Sequence, residues 1–274
     1  LVAEQVEQPL QASHFRSRGR LTLLVLGTAE GGDSTAGADI RLLSARKLVE
    51  HIDKGGKMEI RQALEAAAAD VLLDAATVHG LLPELETKGR IRCTFSGVVA
   101  LSYAWVTPAD PDPERAQLLS LRPVLVWWMC ERARRKLPGT CDDSYPGDVT
   151  MQTADFGVFI DFMSMFQPDD TTGAKPAYTK PAEQASFGRA LRNIGLLYGH
   201  AGSVVFKMTD TPLPADGDAD RVYNKRGWTH LERRPGDLEA PASNSLDVSA
   251  WPTAEAERAA RDPEDEEYTA AQRG

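Results

Sequence analysis

Cysteine is scarce in this chain of 274 residues: three occur, Cys93, Cys130 and Cys141. The number is odd, the spacings are irregular and no CxxC pair is present, so neither a disulfide framework nor a cysteine zinc site is expected, and a reducing compartment fits best. The five histidines, His14, His51, His79, His200 and His230, have no HxxxH or HxH spacing, so no metal site is expected. Basic charge is also in deficit. A net charge of −9 argues against general nucleic-acid binding, which needs a cationic face to displace counterions from phosphates. The apolar windows Leu21 to Leu26 and Val124 to Met129 fall far short of the roughly 20 residues that span a bilayer, so no membrane partner is expected and a cytoplasmic location is. No basic-then-apolar leader opens the sequence, and no GxSxG elbow or P-loop is present. Gly27 to Gly32 follows an apolar run but lacks the Gly-Lys-Ser/Thr ending, and reads as a connector.

What is present suffices for a buried core: 42% hydrophobic and 26% charged residues. Leu21 to Leu26 reads as a strand, and mostly helical patterns follow. Ile40, Leu43, Lys47 and Glu50 fall on related helical faces, Met58 to Ala76 is rich in strong helix formers, and Thr77 to Glu86 reads as a further helix capped by Thr77. From residue 97 the period changes. Val98 to Tyr103, Phe156 to Phe162 and Ser203 to Met208 read as buried strands. Between them, Glu114 to Leu137 reads as a helix kinked or restarted at Pro123, and Glu183 to Tyr198 as another. Strands alternating with helices predict parallel βαβ units, whose ligands sit beyond the strand C-terminal ends. Arg132, Arg134, Arg135 and Lys136 form a basic cluster at a helix C-terminus, where cations offset the helix dipole. After Arg234 the chain turns rich in Pro, Ser, Asp and Glu, which predicts a flexible acidic tail.

Four segments, in order, resemble the heterokaryon-incompatibility (HET) domain. Ala100-Leu101-Ser102-Tyr103-Ala104-Trp105 is similar to the family's ALSYxW strand, and Val158 to Gln167 to its WIDxxCINQ strand. Ile194 to Ala201 is similar to the helix ending in IYxxA, and Arg226 to Glu232 to the RxWTxQE segment. The chain departs from the pattern where Ser164 replaces the family's Cys, Phe166 its Asn, and Val106 the Gly after the first Trp. HET domains in turn resemble TIR domains. The resemblance implies a flavodoxin-like parallel sheet flanked by helices over residues 93–234; outside it, the residue pattern predicts a mostly helical extension over 1–92 and a disordered acidic tail over 235–274.

Several TIR domains hydrolyse NAD with a glutamate in a WxxxE segment, and Trp228 and Glu232 have that spacing. The resemblance therefore implies an intracellular signalling or defence domain with NAD or a related nucleotide as substrate rather than cofactor. In it Glu232 stabilises a ribosyl cation and Asp161 orients the ribose, while Trp228, Trp105, Tyr103, Ser102 and Arg226 contact the substrate. It also implies homo-oligomers. The alternative from a different class is a non-catalytic self-association module of the same fold, in which Glu232 is structural. Each residue also has a plainer explanation: Glu232 as an acid in a first helical turn, Asp161 as a loop cap, Tyr103 and Trp105 as packing, Arg226 as a surface charge.

Overall fold

The computed structural model describes residues 38–81, 97–107, 110–134, 155–168, 177–178, 180–199, 203–210, 223 and 245–249. Its first strand, β1 (Leu43–Ser44), leads straight into helix α1 (Ala45–Asp53). The Ser44 hydroxyl accepts the Lys47 amide at 3.0 Å and so caps the helix, while donating to Asp155 at 2.6 Å. Helix α1 buries Ala45, Leu48, Val49 and Ile52, and just past its C-cap Lys54 comes Gly55, whose φ of +89° suits a residue without a Cβ.

The Ala-rich stretch does not form one helix from 58 to 76. Helix α2 (Arg61–Ala67) stops at Ala68, a single 3₁₀ turn covers Ala69–Val71, and helix α3 (Ala75–Leu81) follows. The interruption has a tertiary cause. Leu72 bridges Leu43 in antiparallel fashion and the Leu73 amide donates to the Leu42 carbonyl at 2.9 Å. That pairing buries Val71, Leu72 and Leu73, which outweighs the modest helix preference of the residues around them. The cap of α3 is Asp74, which accepts the Thr77 amide at 2.7 Å, and not Thr77 as expected.

Strand β2 (Val98–Tyr103) is buried throughout, as its continuous apolar run predicts. Helix α4 (Ala116–Arg134) runs through Pro123 without a restart. Arg132 lies in the last turn of α4, at the helix end expected for it, and is fully buried there. Strand β3 (Gly157–Phe159) is shorter than the expected Phe156 to Phe162, because the chain turns into the short helix α5 (Asp161–Ser164). The Ser164 hydroxyl accepts the Ile160 amide at 3.1 Å and Asp161 accepts the Phe162 amide at 2.7 Å, which favours the turn over continued pairing. Helix α6 (Pro181–Asn193) starts with Pro at its first position, where no amide is needed, and passes into α7 (Gly195–Gly199). Strands β4 (Ser203–Met208) and β5 (Ser245–Asp247) complete the set.

The five strands form one sheet in the order β1-β3-β2-β4-β5, parallel except for β1, which runs antiparallel to β3. Strand β2 pairs with β4 over its full length, from Val98 opposite Ser203 to Tyr103 opposite Met208. Two expectations fail at the sheet edges. Leu43, expected on a helix face, is in β1, and residues 245–247, expected in a disordered tail, form β5 against β4. Alternation along the strands divides the core between the two faces. Val99, Leu101, Val158, Val204 and Phe206 pack with α1 and α4, while Val98, Ala100, Phe159 and Val205 pack with α3, α6 and α7. The result is an α/β fold with helices on both sides of a mostly parallel sheet. Among the described residues, no helix is long and apolar enough to cross a membrane.

Gly157 shows how tightly β3 fits. A Cβ there would lie 2.7 Å from Cδ1 of the buried Leu42 and 3.4 Å from its Cβ. Gly157→Val is expected to destabilise the fold by about 2 kcal/mol through overpacking, read as a lower urea midpoint at unchanged slope. An unchanged midpoint would show that Leu42 can yield freely.

Candidate functional site

In parallel α/β sheets the loops leaving the strand C-terminal ends build the ligand site, and a crevice opens where successive connections leave a strand on opposite sides. Strand β2 occupies that position here, between β3 and β4. The chain goes from β2 to β3 on one side and then returns across β2 to β4.

Tyr103 ends β2 and Asp161 lies just past the end of β3. The Tyr103 hydroxyl donates to Asp161 Oδ1 at 2.6 Å, and the Phe162 amide donates to the same oxygen at 2.7 Å. The Trp105 side chain adds another hydrogen bond to this carboxyl. Trp105 is half-buried, and its ring meets Phe162 edge-on at 5.3 Å and 88°. Burial pushes the Asp161 carboxyl above the ordinary aspartate range, outweighing the Tyr103, Phe162 and Trp105 donors, which pull it down. Asp161 therefore ties two strand ends together and fixes a partly exposed aromatic wall beside them, against which a flat ring could stack.

The described residues of the loop after β2 are tied together by hydrogen bonds. Thr107 and Asp110 exchange hydrogen bonds at 2.8 Å, and the Gln117 amide nitrogen donates to the carbonyls of Ala104 at 3.0 Å and Pro111 at 2.8 Å. Asp112 caps α4 by accepting the Gln117 and Leu118 amides at 3.0 and 2.9 Å. Burial raises its carboxyl pKa against the pull of those two amides. Arg115 adopts φ +61°, rare for a residue with a side chain, and its guanidinium donates to the carbonyls of Gly56 at 2.8 Å and Ile52 at 2.6 Å near the end of α1. These ties hold Trp105 at a defined depth.

Ser102 does not join this group. It projects to the opposite face, as its place beside Tyr103 in a strand requires, and its hydroxyl lies 2.7 Å from that of the buried Tyr223. Lys207 is its register partner on β4. The residues expected at the substrate thus divide. Tyr103, Trp105 and Asp161 come together on one face, Ser102 lies on the other, and Glu232, Trp228 and Arg226 lie outside the described residues.

Gln167, the last residue of the segment resembling WIDxxCINQ, and Tyr223 are not among the site residues expected from sequence. Gln167 donates to the Asp161 carbonyl at 3.2 Å, and its backbone is clasped by the Gln62 side chain, through a donated bond of 2.5 Å and an accepted one of 3.2 Å. Its place at the end of that segment and the hydrogen-bonding capacity of a glutamine are the signals in sequence for such a partnership. Among the described residues, no group of three or more His, Cys, Asp and Glu side chains is placed to hold a metal ion. Comparison with protein-family models, with curated proteins and with solved structures finds no significant match to this chain.

Proposed function

We propose that the chain is a flavodoxin-like domain of the HET and TIR kind, acting in intracellular signalling or defence, that binds NAD or a related nucleotide and cleaves its N-glycosidic bond. The observation that carries this reading is the meeting of Tyr103, Trp105 and Asp161 at the C-terminal ends of two adjacent parallel strands. The order β3-β2-β4-β5 of the parallel strands also supports it, since a flavodoxin-like sheet has its second strand, first, third and fourth in that sequence. In this scheme Trp105 or Trp228 stacks on the base, Arg226 meets a phosphate and Glu232 faces the ribose. The bond from ribose C1′ to the nicotinamide nitrogen breaks, and the ring leaves as neutral nicotinamide with the electron pair. Water adds to C1′ and releases a proton. The carboxylate of Glu232 stabilises the cationic ribose between those events, in the manner of a glycosidase. Asp161, engaged by Tyr103, Phe162 and Trp105, positions Trp105.

A second reading is favoured by those same contacts. A buried carboxyl whose hydrogen bonds all go to its own loops is what a non-catalytic self-association module would retain. The deciding experiment is incubation of concentrated protein with NAD, scoring free nicotinamide by chromatography, beside Glu232→Ala. We expect release by the wild type and at least about 100-fold less by the variant, the scale set by loss of a transition-state electrostatic partner. Release by neither protein, with sedimentation showing assembly, would favour the interaction module.

A further inference from the structure

Arg61 is fully buried, which is uncommon for a guanidinium. Its plane lies over the Phe166 ring, 3.9 Å from the centroid. Its Nε donates to Glu65 at 2.8 Å, and its Nη1 donates to the carbonyls of Ala38 at 2.9 Å and Asp39 at 3.2 Å. Nη2 is buried and meets no acceptor. Arg41 stands beside it. Its Nη2 donates to the Leu73 carbonyl at 3.2 Å, its Nη1 lies 3.6 Å from the same Glu65 oxygen that Arg61 contacts, and its Nε is also buried without an acceptor. Two guanidiniums therefore share one carboxylate. The other carboxylate acting on Arg61, Asp39, is already engaged by Arg189 at 2.8 Å and Ser186 at 2.8 Å.

We propose that Arg41 and Arg61 form a site for a phosphate-type anion, and that Glu65 occupies it as an internal stand-in. The carboxylate suits that role: its side chain is 29% exposed on α2, able to swing outward, whereas Arg61 is locked on Phe166. A phosphate offers more oxygens than a carboxylate and carries more charge, so it can serve the unsatisfied Nη2 of Arg61 and its neighbouring Nε along one guanidinium edge, together with the Nη1 of Arg41. The position fits a ligand. Gln62, next to Arg61, clasps Gln167, which donates to the carbonyl of Asp161. The anion site thus lies one residue along α2 from a side chain that is hydrogen-bonded, through Gln167, toward the strand ends where α/β sheets take their ligands. The inference stands without the glycohydrolase reading, because it concerns anion binding alone.

The test is titration with inorganic phosphate, and separately with ADP, against chloride at matched ionic strength. Binding is followed by backbone amide shifts of residues 61–67 and 166–167, in wild type, Glu65→Gln and Arg41→Gln. Removing the stand-in charge is expected to tighten phosphate binding at least about tenfold, and removing Arg41 to weaken it at least about tenfold, one decade being 1.4 kcal/mol. ADP binding tighter than inorganic phosphate would assign the site to a nucleotide's phosphates; the reverse would assign it to the free anion. Equal phosphate affinity in all three proteins, or no saturable shift in wild type and Glu65→Gln, would overturn the proposal. Should Glu65→Gln not fold, the comparison of wild type with Arg41→Gln decides in the same way.

Discussion

Trp128→Ala is expected to lower the unfolding free energy by about 3–5 kcal/mol, the usual range for removing a large buried aromatic. Trp128 is 3% exposed on the inner side of α4. Its ring meets Phe206 edge-on at 5.1 Å, Phe156 at 6.4 Å and the ring of Trp127 at 5.8 Å, so truncation opens a void beneath three aromatic neighbours at once. Domains of this size have about 5–15 kcal/mol in total, which makes the loss a large share of the whole. The damage should reach the site. Phe206 is paired with Leu101, two residues before Tyr103, so a slack β4 loosens the end of β2. Guanidinium unfolding gives the energy, and near-ultraviolet circular dichroism reports the packing. Trp128→Phe, which keeps a ring in place, should recover more than half of the loss. A cost below about 1 kcal/mol for the alanine variant would mean that α4 is not packed on the sheet as described.

The parts of the fold legible in sequence are those in which local pattern and tertiary environment agree. Val98 to Tyr103 and Ser203 to Met208 are apolar runs of strand length, and both are central strands. The edges were hidden. Strand β1 is two residues long, and its Leu43 fits a helical face equally well, so only the neighbouring β3 decides its conformation. Strand β5 is Ser-Leu-Asp inside an acidic stretch. Nothing in those three residues marks a strand, and their structure comes from the open hydrogen bonds of β4. The break after Ala67 was concealed for the same reason, since pairing of Leu72 and Leu73 with residues 42 and 43 overrode propensity.

At the site, the positions were more legible than the partnerships. A carboxylate near the end of one buried strand and an aromatic pair near the end of another marked Asp161, Tyr103 and Trp105. Their bond spans 58 positions, and no local pattern specifies a contact of that range. Period-two alternation also separates Ser102 from Tyr103, so a set drawn from consecutive residues of one strand had to divide between two faces. Arg61 is the least legible. On a short Ala-rich helix an arginine looks solvent-facing, and its burial depends on Phe166, more than a hundred residues away.

Asp161 gives the second large effect, with a signature in pH. Asp161→Ala removes the acceptor of the Tyr103 hydroxyl, the Phe162 amide and the Trp105 side chain in a buried place. At roughly 1–3 kcal/mol for each stranded donor, partly relieved by relaxation, the expected cost is about 4 kcal/mol. Asp161→Asn keeps the shape and one carbonyl acceptor, and should cost about 1–2 kcal/mol near neutral pH. The pH dependence follows from the raised pKa of the folded state. As pH rises past about 4, the unfolded chain gives up this proton first, so it binds fewer protons than the native state and the stability falls. The fall continues to the raised folded pKa and then levels off. Asp112, also raised by burial, gives a slope of the same sign in both proteins, while Asp74 and Glu50, held low by Thr77 and Lys47, give the opposite slope in both. The difference between wild type and Asp161→Asn cancels those shared groups. It should therefore shrink as pH increases from about 4, when urea midpoints of the two proteins are measured in parallel. A difference that instead widens with pH would show that the three donors outweigh burial. Asp161 would then be a stabilised carboxylate, bearing its charge toward the aromatic wall on which the proposed substrate stacks.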